Sequence, residues 1–174
     1  MELDTIFGTK ESQYKEFMAL IGYYSVTFAF LEDLMKFFIN KLVNPKDNEF
    51  GLCLTATMGF QQMYHGLMSL YRKREVSDNL IDGMETILQH TKSLDEDRNK
   101  IVHSIWQLNK DNATIMRYRT IARFGSGLQP DNEELKTKDL EKKIEDLTQT
   151  VKSLLAMLDQ WNKDHEKDNK EKED

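Results

Sequence analysis

Cysteine and proline are scarce in this 174-residue chain, which contains one cysteine and two prolines. The single cysteine, Cys53, excludes an intramolecular disulfide and favours a reducing compartment. No uninterrupted apolar run reaches the roughly 18 residues of a membrane span, and neither end resembles a signal peptide. The sequence therefore predicts a cytoplasmic protein with no membrane partner.

The motifs of several common enzyme classes are also absent. The chain has no Gly-x-x-x-x-Gly-Lys-Ser/Thr loop and no Gly-x-Ser-x-Gly elbow, so nucleotide hydrolysis and serine-hydrolase chemistry lack their motifs. Its four histidines are scattered, and no cysteine or histidine spacing resembles a zinc site. We predict neither a metal nor a cofactor.

The charge of the chain restricts its possible partners. Charged residues make up 31% and hydrophobic residues 39% of the sequence, as is typical of a soluble helical protein. The formal net charge of -6 argues against nonspecific coating of duplex nucleic acid, because phosphate binding requires an electropositive surface. A local positive surface is still compatible with this net charge.

Apolar residues recur at helical spacing over most of the chain. This spacing predicts long helices over residues 11–43, 50–74, 77–106 and 131–161. Ser77 is a suitable N-cap for the third helix, and Asp131 with Glu134 resembles a capping box that opens the last helix. The predicted fold is mainly α, a bundle of about four long helices.

The periodicity changes after the third helix. Residues 105–108 and 113–121 alternate around a polar turn, which predicts a small β-hairpin, and Pro130 lies in the loop that follows. Residues 162–174 contain no apolar side chain and alternate acid with base, which predicts a charged tail that is frayed or disordered. We therefore expect one domain over residues 1–161.

An arginine and a histidine lie close together near the end of the third predicted helix, in Arg98-Asn99-Lys100-Ile101-Val102-His103. The apolar stripe of that helix passes through position 98, so a core position is predicted for Arg98. An unpaired buried guanidinium costs several kcal/mol, which implies an acidic partner, a polar cleft or an anionic ligand. In a regular helix His103 lies about 140° away from Arg98, whereas Asn99 and His103 share one side.

Arg98, Asn99 and His103, followed by Ser104-Ile105-Trp106, resemble the R-x4-6-H signature of the HEPN superfamily (higher eukaryotes and prokaryotes nucleotide-binding domains). Phe28-Ala29-Phe30-Leu31-Glu32 is similar to the aromatic-x-x-Leu-Glu segments of bacterial members, and the resemblance covers residues 11–165. It implies a HEPN-like helical bundle and a metal-independent ribonuclease used in antiviral defence or as a toxin. Because family members join two such motifs across a dimer, it also implies a homodimer, with an antitoxin or defence-system protein as a further partner.

The chemistry of these side chains suits RNA. An imidazole, with a reference pKa near 6.5, exchanges protons at neutral pH, so His103 is a candidate base for a 2′-hydroxyl or acid for the leaving oxygen. Arg98 offers forked donors to a phosphate, and Asn99 is a candidate for positioning the backbone. Glu32, in a largely apolar segment of the first predicted helix, is a candidate for orienting Arg98.

Three arginines, Arg117, Arg119 and Arg123, give the predicted hairpin a positive side. They form either an RNA-binding edge or a hairpin edge that charge keeps soluble. Two alternatives to the nuclease also stay open, in which Arg98 and His103 pair with carboxylates and do no chemistry. One is a noncatalytic HEPN-like module that binds a protein or nucleotide, and the other is a helical assembly adaptor.

Overall fold

The computed structural model describes residues 11–44, 48–74, 77–108, 114–123 and 127–170. Within these ranges the helices are α1 (Glu11–Val43), α2 (Asn48–Thr55), α3 (Phe60–Arg74), α4 (Asp78–Val102) and α5 (Thr137–Lys170). The strands are β1 (Ile105–Leu108), β2 (Ile115–Arg123) and β3 (Gly127–Leu135). The mainly α class predicted from the sequence is confirmed, with a small antiparallel sheet of three strands.

The chain divides into two compact units. The first comprises Met1–Thr27 and Glu96–Asp146, and the second comprises Phe28–Asp95 and Leu147–Asp174. All three strands and the arginine–histidine motif belong to the first unit. The candidate site described below therefore lies within one unit.

The core of the second unit consists of aliphatic and aromatic side chains at the predicted helical spacing. Phe38 is fully buried, and its ring lies 5.8 Å from the ring of Tyr71 and 6.3 Å from that of Trp161. Phe28 packs in the same way on Phe60, at 5.8 Å. Such tilted and edge-on pairs stabilise a core beyond the area that they bury, so the apolar stripe of α1 is confirmed as a core element.

The predicted helix over residues 50–74 is two helices in the structure. The first ends at Thr55, whose carbonyl accepts the amide of Met58, and α3 begins after Gly59. The amide of Gly59 donates to Oε1 of Gln62 at 2.9 Å, as an N-cap residue does with a glutamine three positions later. The capping signal was present in the sequence, but the continuous apolar periodicity concealed it.

The predicted hairpin is confirmed, and β1 pairs with β2 from Ile105↔Tyr118 to Leu108↔Ile115. The structure adds β3, which pairs with β2 from Ile115↔Leu135 to Arg123↔Gly127. Pro130 therefore lies in a strand and not in a loop. A proline is compatible with β3 because this strand is at the edge of the sheet, where only one side of the backbone is paired with a neighbouring strand.

The predicted capping box of Asp131 and Glu134 is wrong, because both residues belong to β3. The cap of α5 is formed instead by Lys136 and Asp139: the Lys136 amide donates to Oδ2 of Asp139, and the Asp139 amide donates to the Lys136 carbonyl. From there α5 continues to Lys170, beyond the start of the predicted tail at residue 162, and residues 171–174 lie outside the described ranges.

Among the described residues, one helix is long and apolar enough to cross a membrane, over Ser12–Val43. The expectation drawn from uninterrupted apolar runs did not include this helix, because charged residues such as Glu32 and Asp33 interrupt its apolar sequence. The same helix carries buried core side chains such as Phe28 and Phe38. A core helix of a soluble protein meets the same criterion, so composition alone does not assign a membrane location.

Candidate active site at the end of α4

The last turn of α4 is closed by the residues that follow it. The predicted helix continues to Trp106, but the observed helix ends at Val102 and His103 lies in a turn. The Ser104 Oγ donates to the Lys100 carbonyl, and the Trp106 Nε1 donates to the Ile101 carbonyl at 2.9 Å. Carbonyls that lack an intrahelical partner are therefore satisfied by side chains rather than by a C-terminal glycine.

Trp106 fixes this turn to α1 within the same unit. The Tyr14 hydroxyl donates to the Trp106 carbonyl at 3.2 Å, and the rings of Phe17 and Trp106 lie 5.1 Å apart. Because Phe17 is fully buried, the start of β1 is attached to a packed part of the unit. The end of α4 therefore has a defined position although it carries polar side chains.

The turn brings the three predicted catalytic residues together. The Arg98 Nη1 lies 3.4 Å from the His103 Nε2 and donates to the Asn99 Oδ1 at 3.0 Å. The two side chains meet although a regular helix would place them about 140° apart, because α4 ends at Val102 and His103 lies in the turn that follows. A guanidinium only donates, so the contact with His103 is a hydrogen bond when the Nε2 carries no proton.

Arg98 does not occupy the core position that the apolar stripe predicts. Its side chain is half-buried, and His103 is exposed. The guanidinium is therefore positioned by neighbours of its own turn while remaining near solvent. This arrangement suits a group that receives an anionic ligand, because an incoming phosphate meets a charged donor without opening the core.

Arg117 lies on β2 in the first unit and is held by several partners. It is buried, and its Nη1 and Nη2 each lie 3.1 Å from an oxygen of Asp131, while its Nε and Nη2 lie 3.3 and 3.1 Å from the Glu133 Oε2. Burial lowers the pKa of Arg117, but hydrogen bonds and charges of the two acids outweigh burial and raise it overall. The structure thus places Arg117 inside the unit and not on an exposed edge.

The other two arginines of the predicted RNA-binding edge differ from Arg117. Arg119 is half-buried and pairs across the sheet with Asp131. The pKa of Asp131 is lowered, first by its hydrogen bond from Arg117 and then by the charges of Arg117, Arg119 and Lys100. Arg123 ends β2, and its side chain lies outside the part that the structure describes.

Glu32, the predicted orienting residue, is half-buried on α1 and belongs to the second unit, whereas Arg98 belongs to the first. Its role toward Arg98 stays a prediction.

A small cleft of about 70 Å³ adjoins the motif inside the first unit. It is lined by Asp97, Lys100, Ile101, Trp106, Arg117, Glu133, Leu135 and Lys143. The Lys143 Nζ pairs with Asp97 there at 2.7 Å.

Sequence reasoning missed the acids that bind Arg117. The sequence contains a pattern that indicates these acids. Arg117 and Arg119 are separated by one residue, and so are Asp131 and Glu133. Opposite charges at alternate positions of two neighbouring strands lie on one face of a sheet. This pattern predicts both the third strand and the ion pairs.

Comparisons with protein-family models, with curated proteins and with solved structures find no match to this chain. The described residues contain no group of three or more histidine, cysteine, aspartate or glutamate side chains that could hold a metal ion. The functional assignment therefore depends on the geometry of the motif and on the chemistry of its residues.

Proposed function

We propose that this protein is a metal-independent endoribonuclease of HEPN type, active in antiviral defence or as a toxin, with Arg98, Asn99 and His103 as catalytic residues. The observation that carries this proposal is the contact between the Arg98 guanidinium and the His103 imidazole at the end of α4, where Arg98 is half-buried and His103 is exposed. It supports a site in which one side chain binds a phosphate and its neighbour exchanges a proton.

The reaction assigns one task to each side chain. A phosphate that binds Arg98 competes for the donor that faces the His103 Nε2, which leaves the imidazole lone pair available to accept the proton of the RNA 2′-hydroxyl. The 2′-oxygen then bonds to phosphorus, the bond from phosphorus to the 5′-oxygen breaks, and an imidazolium or water protonates the leaving oxygen. Arg98 stabilises the growing charge on the phosphoryl oxygens, and the side-chain Oδ1 of Asn99 accepts a hydrogen bond that orients the guanidinium.

In a decisive experiment the purified chain is incubated in excess EDTA with mixed RNA and, separately, with single-stranded DNA of mixed sequence. We expect cleavage of RNA alone, with 2′,3′-cyclic phosphate ends or their hydrolysis product, because DNA lacks the attacking hydroxyl. A mock purification without the chain is the control for a contaminating nuclease, and His103→Ala is the control for the site. RNA left intact at every enzyme concentration would contradict the proposal.

We further propose a homodimer in which the two copies of His103 face a shared cleft. A chain with one motif supplies one imidazole, whereas the reaction uses both an acid and a base, and two-fold symmetry provides the second group. Light scattering is expected to give twice the chain mass at the concentrations that cleave RNA. A monomer that cleaves at full rate would contradict the composite site.

The resemblance also implies an antitoxin or other defence-system protein as partner, and the cysteine usage and hydropathy of the sequence favour a cytoplasmic location; we propose both. For RNA binding we retain Arg119 and Arg123. Replacing both with serine is expected to weaken RNA binding and to reduce the slope of log K against log salt by about 1.4, since each phosphate contact on a single strand contributes about 0.7. A salt titration by fluorescence anisotropy measures this slope.

The matched control is Lys73→Ser with Arg74→Ser, which removes two exposed cations of α3 and changes the net charge equally. It is expected to alter the slope by much less. If both double variants weaken binding to the same extent, the net charge of the chain and not the pair of arginines on the central strand β2 determines affinity.

A further inference from the structure

Ser104 connects the candidate histidine to the sheet of its own unit. It follows His103 directly, and its Oγ donates to the Lys100 carbonyl. The same oxygen lies 3.4 Å from the Arg117 Nη1, which donates to it. One small side chain therefore closes the helix and contacts β2.

The Arg117 end of this connection is rigid. Its side chain is 3% exposed and is held by both oxygens of Asp131 and by one oxygen of Glu133. Glu133 is also its cross-strand neighbour in β3, and Trp106 is its cross-strand neighbour in β1. A guanidinium with these partners has little rotational freedom, so the Ser104 hydroxyl contacts a fixed point.

We infer that Ser104, held by Arg117, is a positioning residue that sets the His103 imidazole against Arg98. The Ser104 Oγ holds the Lys100 carbonyl, and the His103 amide donates to the Asn99 carbonyl at 3.3 Å, so the two contacts together fix the backbone of the turn. The inference rests on the proposed function, since its kinetic consequence requires His103 to act on RNA. A displacement of about 1 Å at a reacting group can cost about 100-fold in rate.

Kinetic measurements on three variants test this role. Ser104→Ala is expected to lower kcat about 10-fold with KM unchanged, because the turn loses its fixed point while the RNA contacts persist. Ser104→Thr keeps the hydroxyl and is expected to restore most of kcat. Thr120→Ala, which removes an exposed hydroxyl of β2, is the matched control and is expected to leave kcat unchanged.

A double variant separates positioning from general stability. In a His103→Ala background, Ser104→Ala is expected to cause no further loss of the residual cleavage, because it acts only through the imidazole. An equal further loss in that background would show that Ser104 acts elsewhere and would overturn the inference. So would a wild-type kcat for Ser104→Ala.

Imidazole nitrogen spectra of the ¹⁵N-labelled chain test the positioning without RNA. The His103 signals, identified by their absence in His103→Ala, are expected to shift in Ser104→Ala and to return in Ser104→Thr. Unchanged signals in a folded Ser104→Ala chain would overturn the inference. If the wild type cleaves no RNA, the proposed function fails, and the spectra still decide whether Ser104 positions His103.

Discussion

Replacing His103 or Arg98 with alanine is expected to lower RNA cleavage at least roughly 100-fold, with the fold intact. Loss of a general acid–base group typically costs about 10²- to 10⁴-fold. Loss of one preorganised donor at a developing charge costs about 10²- to 10³-fold. His103 is exposed and Arg98 is half-buried, so neither substitution empties a core position. Initial rates in EDTA measure the effect.

Two further variants make this result specific. His90→Ala removes an exposed histidine within α4, away from the turn that holds His103, and is expected to retain the wild-type rate. Arg98→Lys keeps the charge but replaces the forked guanidinium with a single ammonium, so an intermediate rate is expected. Equal cleavage by the wild type and by both alanine variants would remove Arg98 and His103 from the mechanism.

The helices could be predicted from the sequence because their determinants are local. The stripe of Phe28, Leu31 and Phe38 on α1 follows from a repeat of 3.6 residues, and all three side chains are buried. The proximity of Arg98 to His103 could not be predicted from the same periodicity. It depends on where α4 ends, and helix ends are determined by capping contacts that periodicity does not encode.

The sheet was less predictable because its contacts are distant in sequence. The role of Arg117 depends on β3, whose acids lie in a segment with a sequence that also matches a loop and a helix cap. Pro130 argued against a central strand, yet it is tolerated at the edge. Of the predicted candidate residues, Arg98, Asn99 and His103 are brought together, whereas Arg117 is buried with Asp131 and Glu133.

Replacing Arg117 with methionine is expected to lower the free energy of unfolding by about 2–3 kcal/mol at pH 7. The substitution keeps the side-chain length but leaves two carboxylates side by side without their cation. Removing one partner of a fully buried ion pair costs about 3–5 kcal/mol. The effect here is smaller because Asp131 and Glu133 remain 34% and 52% exposed and are partly screened by water. Urea unfolding measures the difference.

The pH dependence of that difference identifies its cause. The hydrogen bond from Arg117 is the largest of the effects that lower the pKa of Asp131 in the folded chain. A carboxyl group with a lowered pKa in the folded chain stabilises the fold fully at a pH above its pKa in the unfolded chain, about 3.9. This stabilisation is lost as the pH falls through the pKa of the group in the folded chain. The difference in the free energy of unfolding between wild type and Arg117→Met should therefore narrow below about pH 4. The control is Arg119→Met, at a half-buried position, which should lower the free energy of unfolding by less than about 1 kcal/mol at every pH. A gap that stays constant down to pH 2 would assign the loss to packing of the arginine stem instead of to its charge.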